Sequence, residues 1–194
     1  LEVLRQPLED RKITISRAKY NIEFPCSFMF VASMNPCPCG YYGDPTHHCV
    51  CTPGQILHYM NKISGPLLDR IDIQCEITPV PFKDISRGKP GESSETIRQR
   101  VIRAREIQTE RFREIKGVHC NAQMSERMMH TNAEPDDAGI ALLRMAMERL
   151  SLSARAYRRI LKVARTIADL AGAPGVEADH LAVAIRYRQL DRGD

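Results

Sequence analysis

The chain has 194 residues, room for one compact domain or two small ones, and its 43% apolar and 27% charged content is ordinary for a soluble globular protein. No apolar run approaches the ~20 residues of a membrane span, and the charged start Leu1-Glu2-Val3-Leu4-Arg5 lacks the hydrophobic centre of a signal peptide. A net charge of +4 permits nucleic-acid binding without arguing for it, while seven cysteines, an odd number, fit a reducing cytoplasmic setting better than a disulfide framework.

Residues 1–10 read as the end of an amphipathic helix, with Leu1, Leu4 and Leu8 on one face. There is no initiator Met, and the chain is expected to be cut from something longer. Residues 12–16 alternate as a strand does. The run at 28–33 is almost continuously apolar, the pattern of a strand buried on both faces of a sheet. A loop rich in Pro, Gly, Cys and His covers 34–54, helical patterns follow at 55–62 and 65–70, and residues 71–77 alternate as a second core strand. Pro79, Pro81, Gly88, Pro90 and Gly91 then punctuate a linker, with Ser93 or Ser94 placed to cap a helix over 95–114. Further helices are expected at about 136–150, 153–171 and 177–189, with Gly172, Pro174 and Gly175 stopping the chain before the last. The fold class is therefore α/β followed by all-α: a truncated α/β part (1–80), a linker (81–92) and a helical part (93–194).

Four places offer chemistry. Cys37 and Cys39, then Cys49 and Cys51, form two close pairs across a short loop, a set that can wrap one tetrahedral Zn²⁺ as a structural, closed site. His47 or His48 could replace one thiol, and the alternative is four reduced thiols in a loop. Cys26, Cys75 and Cys120 read as packed or incidental thiols. Asn35 stands at the end of the apolar run, where open α/β sheets place ligand chemistry, although a turn residue before Pro36 reads the same way. Arg70, between Asp69 and Asp72, is either a solvated ion-pair position or an arginine reaching a neighbouring subunit's nucleotide. Arg155 falls in the first turn of a helix capped by Ser153. A cation is unfavourable there unless an anion such as phosphate lies near, and the competing reading is a basic solvated face.

These residues in this order resemble one family. Leu4-Arg5-Gln6-Pro7-Leu8-Glu9-Asp10, the run from Val31 through Asn35 to Gly40, Gly65 through Arg70 to Asp72, and Leu152-Ser153-Ala154-Arg155 look like the magnesium-chelatase-like AAA+ ATPases, in their ComM/YifB branch. The resemblance covers essentially the whole chain. It implies a sensor-1 role for Asn35, an arginine finger in Arg70 and a sensor-2 role for Arg155, all directed at ATP with Mg²⁺. It also implies a hairpin over 12–28 resembling a pore hairpin, with Arg17 and Lys19 near its tip as DNA contacts. Such tips are equally polar because they face water. The implied partners are further copies in a hexameric ring and branched or single-stranded DNA, and the implied function is branch migration in natural transformation. A magnesium-chelatase motor subunit, driving Mg²⁺ into a porphyrin, is the alternative, and the four-cysteine loop tilts away from it. No Gly-x-x-x-x-Gly-Lys-[Ser/Thr] cradle and no acidic Walker B strand occurs in the 194 residues, so this stretch alone is expected not to hydrolyse ATP.

Overall fold

A computed structural model describes residues 1–88 and 91–188. The chain divides into two compact units, one of residues 1–71 with 77–79, the other of residues 72–76 with everything from Val80 onward.

The first unit opens with a 3₁₀ turn, Glu2–Leu4, that runs into α1 (Arg5–Asp10). Arg11 ends that helix in the left-handed region at φ 55°, donating its N–H back to Pro7 at 3.0 Å. The chain then forms an antiparallel hairpin, β1 (Lys12–Arg17) and β2 (Tyr20–Pro25), joined by Ala18 and Lys19. Its register pairs Ile13 with Phe24, Ile15 with Ile22 and Arg17 with Tyr20, so these six side chains share one face. Thr14, Ser16, Asn21 and Glu23 take the other, where Lys12 pairs with Glu23 at 2.8 Å. Further along lie α2 (Pro53–Met60) and the single-turn α3 (Gly65–Leu68). Thr52 caps α2 through a reciprocal capping box with Gln55, and Ser64 caps α3.

Two strand expectations fail. Neither 28–33 nor 71–77 forms a strand, and β1 and β2 pair only with each other among the described residues. Met29 and Val31, read as buried on both faces, are 88% and 79% exposed. An apolar run states what a side chain prefers, but a strand exists only where a second backbone accepts its hydrogen bonds. Within the residues expected as a linker, α4 (Phe82–Arg87) forms, and Pro90 lies outside the described residues.

The second unit is helical. Its elements are α5 (Ser94–Arg111), a 3₁₀ turn (Asn121–Gln123), α6 (Glu126–Asn132), α7 (Asp137–Arg149), α8 (Ala154–Ala171) and α9 (Ala178–Arg186). Ser93 caps α5 and Ser153 caps α8, and Gly172 ends α8 at φ 71°, a conformation that costs glycine nothing. The end of the last expected helix, at residue 189, lies outside the described residues. Helix α6 is an element that the sequence pattern does not announce.

Ala156, Ile160, Ala164 and Ala168 repeat every four residues along α8 and are fully buried. The three alanines admit α9 and α5 close to the α8 backbone, and Ile160, Phe112, Leu143 and Leu181 fill the space between. Gly139 in α7 has the same use, since a Cβ there would lie 2.7 Å from Leu181. Within this core sits a polar knot. The Asp169 carboxylate, completely buried, accepts from Arg111 at 2.7 and 2.5 Å, from Arg165 Nε at 3.0 Å and from Asn121 at 2.7 Å. Arg165 also donates to the carbonyls of Ala173 and Pro174 beyond α8. One carboxylate thus ties together the end of α5, the 3₁₀ turn, α8 and the turn that follows it.

Burial alone would raise the Asp169 carboxyl, but the Arg111 and Asn121 hydrogen bonds and the two guanidinium charges outweigh it and hold it below its ordinary value of 3.8. Its stabilisation is therefore complete above the ordinary value and is lost as the pH falls through the lowered one. Asp169→Ala leaves two buried guanidinium groups uncompensated and is expected to destabilise the helical unit by about 3–5 kcal/mol, read from urea unfolding. A loss below about 1 kcal/mol would contradict this reading of the knot.

Candidate metal centre and nucleotide-sensing residues

The loop after the hairpin folds tightly enough to gather all four expected ligands. Gly40 takes φ +85° and returns its N–H to the Cys37 carbonyl at 3.0 Å, which turns the chain between Cys37 and Cys39 back on itself. The far side of the loop is pinned by Asp44, whose carboxylate accepts from the Thr46 hydroxyl and N–H and from the His47 N–H. Those bonds hold the Asp44 carboxyl at about 2. Cys49 and Cys51 then come back beside the first pair, and Thr52 starts α2 at once.

The Sγ atoms of Cys37, Cys39, Cys49 and Cys51 all lie within 4.8 Å of one another, with 3.3 Å from Cys37 to Cys39, 3.7 Å from Cys37 to Cys49 and 3.6 Å from Cys39 to Cys49. A tetrahedral ion with metal–sulfur bonds of about 2.3 Å sets its sulfurs about 3.8 Å apart, so the spacing suits such an ion. The thiols do not titrate alike. The Tyr41 backbone N–H holds Cys39 at about 6 against the effect of burial, whereas Cys51 is pushed up to about 12, by burial first and then by Cys39 and Cys37. Thiolates this close oppose one another, and a divalent cation among them removes the conflict. His47 is not part of the cluster: its ring stacks on Tyr41 at 4.8 Å between centroids, and its Nδ1 meets the Thr46 hydroxyl.

Asn35 is exposed beside this loop, with its amide 3.9 Å from where a Gly40 side chain would begin. A residue other than glycine at 40 would strain the turn, with its Cβ in ordinary van der Waals contact with Asn35. Arg70 follows α3 and is mostly covered. Its guanidinium donates to the Pro66 carbonyl at 2.6 Å and to Glu9 of α1, while its Nε is buried without an acceptor among the described residues. Arg5 of the same helix donates to Ser64, the α3 cap, at 2.7 Å.

Arg155 occupies the second position of α8, exposed, behind the Ser153 cap and in a first turn that has no acidic residue. Arg17 closes the hairpin register opposite Tyr20, and Lys19 sits in the turn, both exposed. Asn35, Arg70, Arg17 and Lys19 fall in the first unit and Arg155 in the second. Sequence reasoning misses the Glu9–Arg70 and Arg5–Ser64 pairs, although Glu9, Arg70 and Arg5 stand in the runs that carry the family resemblance and Ser64 directly precedes one. What the sequence lacks is any sign that the runs touch, across 61 and 59 residues.

Two family descriptions match the chain: magnesium chelatase, subunit ChlI, over residues 1–85, and magnesium chelatase, subunit ChlI C-terminal, over residues 91–188. Among curated proteins, the competence protein ComM of Haemophilus influenzae is 43% identical over 193 residues, covering 99% of this chain and 36% of its own length. The uncharacterized proteins YifB of Salmonella typhimurium and of Escherichia coli are each 41% identical, covering 99% of this chain and 37% of their own length. The chain thus spans a little over a third of these relatives.

Titration with Co²⁺ as a spectroscopic probe is expected to give the intense sulfur-to-metal absorption of a four-thiolate tetrahedral site, at one ion per chain. Replacing the buried Cys37 with Ser should weaken binding by more than about tenfold. An octahedral spectrum, or equal affinity in the Ser variant, would exclude Cys37 as a ligand.

Proposed function

The chain belongs to the magnesium chelatase subunit ChlI family, and from that premise we propose that it is the nucleotide-sensing part of a ring-forming AAA+ ATPase of the ComM type, which couples ATP hydrolysis to DNA remodelling. What carries this reading is Arg155. A cation in the first turn of an 18-residue helix sits at the positively polarised end of the helix dipole, a position that a phosphate makes favourable. The 194 residues include no phosphate-cradling Gly-x-x-x-x-Gly-Lys-[Ser/Thr], so ATP and Mg²⁺ are held by the longer protein, and these residues alone are expected not to turn ATP over.

In this proposal Asn35 orients the attacking water or touches the terminal phosphate, and Arg155 senses the bound triphosphate. Arg70 leaves Glu9 to reach the nucleotide of an adjacent copy in a hexamer, where its planar guanidinium offsets charge developing on the transferred phosphoryl group. Zinc is the ion proposed for Cys37, Cys39, Cys49 and Cys51. With four protein ligands it has no open position, so its part is to hold the loop beside Asn35 and the start of α2. Arg17 and Lys19, at the tip of the hairpin, contact DNA phosphates without regard to sequence.

The family description itself favours a second reading, a motor subunit for Mg²⁺ insertion into a porphyrin. ATP turnover that depends on porphyrin, and not on DNA, would select it.

In the full-length protein, Arg70→Ala is expected to lower kcat by about 10³-fold, the low end for an arginine finger, with little change in KM. Turnover within twofold of the parent would remove Arg70 from the reaction. Replacing Arg17 and Lys19 together with Ala should weaken DNA binding and flatten its log–log salt dependence by about two, one for each phosphate that a side chain no longer neutralises. An unchanged slope would take the hairpin tip out of the DNA path.

A further inference from the structure

The four thiols of the loop differ in what can reach them. Cys37 is completely buried, whereas Cys39 and Cys51 border an open groove of about 660 Å³, whose other walls are Pro38, Val50, Gln55, His58, Tyr59 and Lys62. A small solute entering that groove from water meets two of the sulfurs and not the buried one. The thiols differ also in what stands beside them. Cys39 has Cys37 at 3.3 Å and Cys49 at 3.6 Å, while Cys51 falls within the 4.8 Å that encloses the whole set. Cys39 thus combines access from the groove with two close sulfur neighbours.

Metal coordination does not remove this exposure. A four-thiolate site saturates the ion, but each sulfur keeps a lone pair that an oxidant can take. A thiolate oxidised in isolation runs on to sulfinic and sulfonic acids. One with a second thiol in reach is captured as a disulfide and can be reduced again. The spacing around Cys39 belongs to the second case.

We propose that Cys39 is a site of reversible oxidation by hydrogen peroxide, with Cys37 or Cys49 closing a disulfide and the metal leaving as it forms. This rests on the zinc reading above. The Cys39 thiolate attacks one peroxide oxygen, the O–O bond breaks, and a sulfenic acid forms with loss of hydroxide. The neighbouring thiolate then attacks the Cys39 sulfur, an S–S bond replaces the S–O bond, and a second hydroxide leaves. Two sulfurs have given up two electrons to one peroxide, and each hydroxide takes a proton from the buffer to become water. A disulfide draws to about 2.05 Å two sulfurs that a tetrahedral ion holds about 3.8 Å apart, and neither remains a thiolate, so the ion keeps two ligands of four. Asn35, two residues before Cys37 and beside Gly40, lies on the loop that this reshapes.

The test treats the zinc-loaded full-length protein with a few equivalents of hydrogen peroxide. Released zinc is read with a chromophoric chelator, and disulfides by peptide mass spectrometry. One ion is expected for each disulfide formed, with Cys39 joined to Cys37 or Cys49, and dithiothreitol should restore metal binding. His58→Trp fills the groove from an exposed position on α2. It should slow zinc release by about fivefold or more through lost access, while its Co²⁺ spectrum matches the parent's. A disulfide without Cys39, oxidation that dithiothreitol does not reverse, metal retained throughout, or an unchanged release rate in His58→Trp would each overturn the proposal. A protein that takes up no zinc would overturn the metal reading instead, and disulfide mapping of the metal-free thiols then decides the oxidation site by itself.

Discussion

A carboxylate with no access to water must be answered from every side, and the helical unit is arranged around that demand. Asp169 brings together Arg111, Asn121 and Arg165, three groups that share neither a helix turn nor a stretch of sequence, and Arg165 extends the network to the carbonyls after α8. Replacing such a knot with apolar side chains can leave stability unchanged, so its value lies as much in specifying one arrangement as in free energy. Here the arrangement specified is the direction of α8, and with it the direction in which Arg155 points.

The first unit is organised by other means. Of its described residues only Pro7, Cys37 and Leu67 are buried. An assembly with so little apolar core needs staples, and it has two. One is the four-thiol loop, and the other is the pair of bonds from α1 to the α3 turn, Arg5 to Ser64 and Glu9 to Arg70. The same Glu9 that braces the fold thus holds the side chain proposed to leave it, which makes the resting position of Arg70 a held state and not a relaxed one.

What could be read in advance follows the range of the interaction involved. The Ser153 cap with Arg155 behind it, the first strand of the hairpin and the clustering of Cys37, Cys39, Cys49 and Cys51 are local: each is decided within about fifteen residues and is legible, whereas the returning strand, Tyr20–Pro25, is implied only by the family resemblance. The strands expected at 28–33 and 71–77 were not decided locally, because a ladder needs a partner that composition does not name. The long pairs were invisible for a related reason. Nothing in Arg111 or Asp169 alone, 58 residues apart, distinguishes a buried partner from one more charge on an amphipathic helix. Family resemblance, in contrast, was carried by the order of short runs, and it held over both halves of the chain.

The hairpin has a consequence for how its length can vary. Side chains alternate with a period of two, and Ala18 with Lys19 fixes which residues stand opposite. A single inserted residue in either strand would send Ile13, Ile15, Ile22 and Phe24 to opposite sides of the ribbon, while an added pair in each strand would keep the oily side intact and carry the tip outward by about 7 Å. Lengthening that keeps the apolar side in register therefore comes in pairs of residues, and each pair also turns the tip by the twist of the ribbon.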